Sequence, residues 1–167
     1  MTTRLLRLPP AVFTSLAAED PATAERVLGL PVPAEFAGTT DIWRFMDALV
    51  TADTQNADWA MQAVLEDGVI VGNAGFKGAP AGGTVELGYR ISSQYRRRGL
   101  AVSAVALLLD EARRDARVDL VIARISPDNF ASIGVITRSG FNRLEDHQHP
   151  RWGRQVQFGY PLAPVTD

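Results

Sequence analysis

The chain has 167 residues, 46% of them hydrophobic and 22% charged, and a formal net charge of -2. That length suits a single domain over 1–167, and that composition supports a buried core rather than a disordered chain. Mild acidity argues against a general nucleic-acid coat, and the lack of cysteine excludes disulfides, thiolate metal sites and a cysteine nucleophile.

"MTTRLLRLPP" at the N-terminus has no apolar run of signal-peptide length, and no stretch approaches the roughly 20 apolar residues that cross a bilayer. The expectation is a cytoplasmic protein with no membrane or nucleic-acid partner. Thr3–Leu8 alternates weakly and stops at Pro9-Pro10, which reads as a short strand. Val12 to Leu28 reads as two short helices, with Asp20 capping the second before Pro21. "GLPVPAEFAG" reads as loop. "TTDIWRFMDALVTA" predicts a helix capped by Thr40 or Asp41, with Ile42, Phe45, Met46 and Leu49 on one face.

Beyond Trp59 the pattern changes to strands. Two β-like runs flank Asp67-Gly68, a strong hairpin signal. "TVELGYRIS" (84–92) alternates, placing Val85, Leu87, Tyr89 and Ile91 on one side and Thr84, Glu86, Gly88 and Arg90 on the other. "LAVSAVALLLDEARRDA" is a helix and "VDLVIARIS" an apolar strand, so 84–126 forms a β-α-β unit with parallel strands. Pro127-Asp128-Asn129 opens another short helix, Phe130–Ser139, closed by Gly140. The remainder reads as two strands joined at His149–Gly153.

Arg96, Arg97 and Arg98 lie between the first strand of that unit and its helix. A helix N-terminus offers unpaired N–H groups and the positive end of the macrodipole, which together bind anions, phosphate above all. Gly99 lets a guest approach the backbone, and Ala101 keeps the surface small. The alternative is a solvated turn. No G-x-x-x-x-G-K-[ST] or strand-linked G-x-G-x-x-G occurs, which argues against a P-loop or Rossmann site.

"RRRGLA" (96–101) resembles the [QR]-x-x-G-x-[GA] signature of the GCN5-related N-acetyltransferases (GNAT). "VELGYRISSQYRRRGLAVSA" resembles that family's central strand, pyrophosphate turn and helix, and "ARISPDNFASIGVITRSGF" its second block. The likeness runs from about Trp59 to Phe141 and is nearest to the RimJ/RimL-like branch. It implies an α+β fold: a mixed, mostly antiparallel central sheet with a β-α-β cofactor unit and flanking helices. Residues 84–141 would form the cofactor core, and helices within 11–51 would shape the acceptor site. The implied reaction is transfer of an acetyl group from acetyl-CoA to an amine acceptor, by direct attack in a ternary complex, in a monomer or homodimer.

By the same resemblance, Arg96, Arg97, Arg98, Gly99, Leu100 and Ala101 would hold the pyrophosphate. Ile91 and Ser92 would pair with the pantetheine arm, and Asn129 would bond it or hold the neighbouring loop. The two parallel strands would splay to admit the cofactor. Glu86 is the expected base; its alternative is a strand glutamate paired with Arg90 or another cation. Ser132 matches a branch position from which it would reach the cofactor and its sulfur, or else serves as a capping serine. The tyrosine common to many relatives is replaced by Ile136. A non-catalytic acyl-CoA sensor on the same fold is the rival reading. His147 and His149 share a strand face but lack further ligands, so no metal is expected.

Overall fold

The computed structural model describes residues 2–162. Its strands are β1 (Thr3–Arg7), β2 (Met61–Glu66), β3 (Val69–Phe76), β4 (Thr84–Ile91), β5 (Leu120–Ile125), β6 (Asn142–Arg143), β7 (His147–His149) and β8 (Gly153–Pro161). They form one sheet in the order β1-β2-β3-β4-β5-β8-β6, with β7 paired to β8. Every pairing is antiparallel except β4 with β5. Asp67 and Gly68 turn the β2–β3 hairpin with φ of 49° and 83°, the left-handed pair a two-residue type I′ turn needs.

Helices cover both faces. On one lie α1 (Pro10–Ala17), α2 (Pro21–Leu28), α3 (Ala34–Ala37) and α4 (Thr40–Ala52); on the other lie α5 (Leu100–Arg113) and α6 (Phe130–Arg138). Each layer has its own core. Trp43, Phe13, Phe36 and Met46 pack beneath the first group, and Leu108, Val105, Ile136 and Phe158 beneath the second. Asp20 caps α2 by accepting from the Thr23 amide, as its place before Pro21 predicts.

Three local expectations change. The segment read as loop contains the single turn of α3, set between Pro33 and Gly38. The residue before α4 is Thr39, with no side-chain cap, and its buried face is Trp43, Met46 and Val50. The indole ring of Trp43 lies 4.8 Å from Phe36 and 6.3 Å from Phe13, and its Nε1–H donates to the Phe36 carbonyl at 3.0 Å. That packing rolls the helix and leaves Phe45 49% exposed. The C-terminal text forms three strands rather than two, because the short β6 pairs with β8 before the β7–β8 hairpin begins.

Candidate active site

β4 and β5 share only three rungs, Thr84↔Leu120, Val85↔Val121 and Glu86↔Ile122. Beyond them β4 stays on β3 up to Ile91, and β5 stays on β8 up to Ile125. The two strands therefore part, as the resemblance implied. A cavity of about 690 Å³ occupies the gap. Its walls come from α4 on one face and from the start of α6 on the other, so it passes through the sheet.

Alternation decides which backbone groups face the gap. The Glu86 carbonyl accepts from the Lys77 amide, and the Ser92 amide donates to the Val71 carbonyl, so the even-numbered residues of this stretch turn toward β3. Leu87, Tyr89 and Ile91 then present N–H and C=O groups to the gap. Ser92 does not: its amide is taken by Val71, and its carbonyl accepts from the Tyr95 amide at 2.9 Å. The Ile91 carbonyl is also occupied, by Arg96 Nε at 2.9 Å. The free edge thus lies at Tyr89 and the Ile91 amide, short of Ser92.

The turn before α5 is built for an anion. Arg97 and Gly99 both have left-handed φ, 63° and 76°, on either side of Arg98. Such alternation turns successive amides into a concave nest. The first α5 bond runs from the Ser103 amide to the Gly99 carbonyl, and no side chain caps the helix. The amides of Leu100 and Ala101 therefore have no partner within the helix. Leu100 buries its side chain, while Gly99 is exposed and a Cβ there would meet nothing within 4 Å.

The three arginine side chains differ. Arg98 binds Glu66 at 3.0 Å and lies over the Tyr95 ring. Arg96 bonds the Ile91 carbonyl and comes within 3.8 Å of Glu35 on α3. Arg97 alone has no side-chain partner among the described residues. Glu35 also accepts from the amide and hydroxyl of Ser93, bonds that hold its carboxyl below the ordinary carboxylate range. The expected ring of cationic charge is thus mostly spent on carboxylates inside the fold.

The start of α6 closes one end of the cavity. Asn129 caps it, accepting from the Ser132 amide at 3.2 Å, so it organises the loop through its oxygen. Ser132 lines the cavity, and its backbone carbonyl accepts from the Tyr89 hydroxyl at 2.9 Å. Burial pushes the Tyr89 phenol up to about 12, against a smaller opposing effect of the Ser132 side chain. Ile136 is fully buried in the core.

On the opposite face, Glu86 lines the cavity and is held by two cations. Its Oε1 meets Lys77 at 2.6 Å and its Oε2 meets Arg124 at 3.2 Å. Of the expected pairing with Arg90 or another cation, the second form holds, with Lys77 and Arg124 as the cations. Around it stand Met46, Met61, Phe45 and Ile42, with Asn73 farther along β3. Trp152 stacks on His149 at 4.2 Å, and Arg151 reaches Asp41 at 3.6 Å across the rim. His149 Nδ1 accepts from the Arg151 and Trp152 amides. Sequence reasoning passed over Lys77, Arg124 and Asn73; the β3–β4 register is the signal that places Lys77 beside Glu86 and Asn73 opposite Arg90.

A cleft that pierces a sheet, with Asn129 and Ser132 at one end and a carboxylate at the other, can admit two substrates from opposite sides. The family model described as an acetyltransferase (GNAT) domain matches residues 5–142. An uncharacterized N-acetyltransferase of Bacillus subtilis (strain 168), YjdG, is 34% identical over 73 residues, which is 43% of this chain and 44% of that protein. The match thus spans less than half of that relative's length. Among solved structures, RimL, a ribosomal L7/L12 alpha-N-protein acetyltransferase in complex with coenzyme A, superposes with a TM-score of 0.67 at 13% identity, covering 97% of this chain and 95% of its own. MccE, a microcin C7 self-immunity acetyltransferase in complex with acetyl-CoA and AMP, superposes at 0.66 and 13%, covering 96% and 92%. The chain belongs to the GNAT acetyltransferase family, and its domain is an N-acetyltransferase that takes the acetyl group from acetyl-CoA. The matched region extends well ahead of the motif-bearing block. Among the described residues, no helix is long and apolar enough to cross a membrane.

Proposed function

We propose that the acceptor is a primary amine on an apolar or aromatic body, either a protein N-terminus or a small molecule, as in the RimJ/RimL-like branch. The observation that carries this reading is the through-sheet cleft: Asn129 and Ser132 at the α6 end, and Glu86 with Met46, Met61, Phe45 and Trp152 at the other. The cofactor's pyrophosphate sits on the amides from Arg97 to Ala101, with the Arg97 side chain adding charge. Pantetheine pairs with the open edge at Tyr89 and the Ile91 amide. A cytoplasmic location suits a donor made inside cells.

The neutral amine attacks the thioester carbonyl. A C–N bond forms, the C–S bond breaks and CoA leaves as the thiolate. Glu86, fixed by Lys77 and Arg124, takes the proton from the nitrogen directly or through water. Tyr89 is a poor acid for the leaving group. Its phenol lies at about 12, well above the roughly 8.5 of a thiol, and its proton is committed to the Ser132 carbonyl. Ser132, which lines the cavity, is the hydroxyl we assign to the sulfur, directly or through water.

Calorimetric titration tests the cofactor site. The wild type should bind acetyl-CoA, and Gly99→Asp should abolish binding by straining a left-handed position and setting a negative charge against the phosphates. Unchanged affinity in the variant would remove the turn from the site. Glu86→Gln should lower kcat about a hundredfold, most strongly at low pH where the free amine is scarce, with the deficit narrowing as pH rises. A pH–rate profile matching the wild type would leave Glu86 an ion-pair partner only.

A further inference from the structure

The geometry points to Asn73 as the residue that holds the acceptor nitrogen, a role that rests on the amine-acetylating reading above. Asn73 is 2% exposed, and its buried amide oxygen has no hydrogen-bond partner among the described residues. It lines the same cavity as Glu86. An orphan acceptor of this kind is costly in a core, and nearly all buried polar groups in folded proteins are paired. Its place in a substrate cavity supplies a reason: the partner arrives with the substrate.

Register puts the oxygen in a useful position. A bulge at Val71, where Val64 pairs with Gly72 and Leu65 with Ile70, resets the alternation of β3. Ala74 and Phe76 then join the α5 core, and Asn73 turns to the α4 face, opposite Arg90. Gly75 pairs with Gly88, so Asn73 is the diagonal neighbour of Gly88, at about 7–8 Å between Cα atoms. Gly88 lies beyond the last β4–β5 rung, where the strand borders the gap. A Cβ at Gly88 would stand 3.2 Å from Met61 Cε and 3.4 Å from Lys77 Cε, so glycine keeps this floor low. An amine in the cavity beside Gly88, past the tips of Met61 and Lys77, would have Glu86 on one side and Asn73 on the other.

The chemistry favours a nitrogen that carries more than one N–H. A neutral primary amine can donate one N–H to Asn73 while its lone pair faces the thioester. As the C–N bond forms, the nitrogen becomes positive and the bond to the amide oxygen strengthens. A hydroxyl acceptor has a single proton, which goes to the base, and gains nothing from Asn73. The site therefore selects primary amines over alcohols.

The test compares the wild type with Asn73→Leu, Asn73→Ala and Asn73→Asp. The readouts are thermal melting, acetyl-CoA affinity, and CoA release with 2-phenylethylamine and an alanine-initiated tetrapeptide amide as acceptors. Asn73→Leu should melt at the same or a higher temperature and bind acetyl-CoA within about twofold, yet lose roughly tenfold or more in kcat/KM for the amine. Asn73→Ala should lose as much activity, and Asn73→Asp, which keeps an oxygen in place, should retain more than either. A clear fall in the melting temperature of Asn73→Leu, or wild-type kcat/KM in that variant, would overturn the proposal. If the wild type binds acetyl-CoA but releases no CoA with these amines, the acceptor class is at fault, and the melting comparison alone decides whether Asn73 is kept for the fold.

Discussion

A run of like charges is only as positive as its unpaired members. In the turn before α5, Arg98 answers Glu66, whose side chain is 8% exposed, and Arg96 answers Glu35 and the Ile91 carbonyl. Arg97 is left without a side-chain partner among the described residues. Arg97→Ala should therefore weaken acetyl-CoA binding and flatten its dependence on salt, because a screened charge is removed. Arg98→Ala should leave affinity closer to the wild type and cost roughly 1–3 kcal/mol of stability by stranding a buried carboxylate. Titrations at low and high salt, paired with urea denaturation, separate the two outcomes. Equal losses of affinity would mean that Arg98 leaves Glu66 to meet the cofactor.

Between elements, the joint that matters most is the one from β4 to α6. The strands part here, so no sheet ladder fixes α6 to β4, and the Tyr89 hydroxyl bonded to the Ser132 carbonyl spans the gap instead. The phenol ionises near 10 in an unfolded chain and at about 12 here. Between those pH values the folded chain holds the extra proton, so the contribution is fully present below pH 10 and is lost as pH rises toward 12, on the order of 2 kcal/mol. Tyr89→Phe should be less stable than the wild type near neutral pH by about 1 kcal/mol, the worth of the bond. That difference should shrink or reverse at about pH 11. A constant difference in urea midpoints at both pH values would show that the hydroxyl does not bear on alkaline stability.

At the scale of the molecule, what the sequence disclosed was what neighbours in the chain decide. The Asp67-Gly68 hairpin, the Asp20 cap, α5 and the Gly140 stop are local signals, and each appears where it was read. The turn between β4 and α5 was legible for the same reason, since strand, glycine and helix follow one another. The face of α4 was not, because Trp43 is claimed by Phe13 and Phe36 from other helices. Nor were the partners of the arginines, which come from α3 and β2. Lys77 and Arg124 converge on Glu86 only once β3, β4 and β5 lie side by side. A lone asparagine in a strand carries no local mark at all; Asn73 is singled out by burial without a partner.

The parting of β4 and β5 has a topological consequence. On the function proposed above, donor and acceptor would use separate doors, and each product could depart without waiting for the other. A conjugate that ties an amine to the sulfur of CoA must instead be threaded like a needle's eye, slim end first, and one that is bulky at both ends can be seated only if the strands themselves move aside.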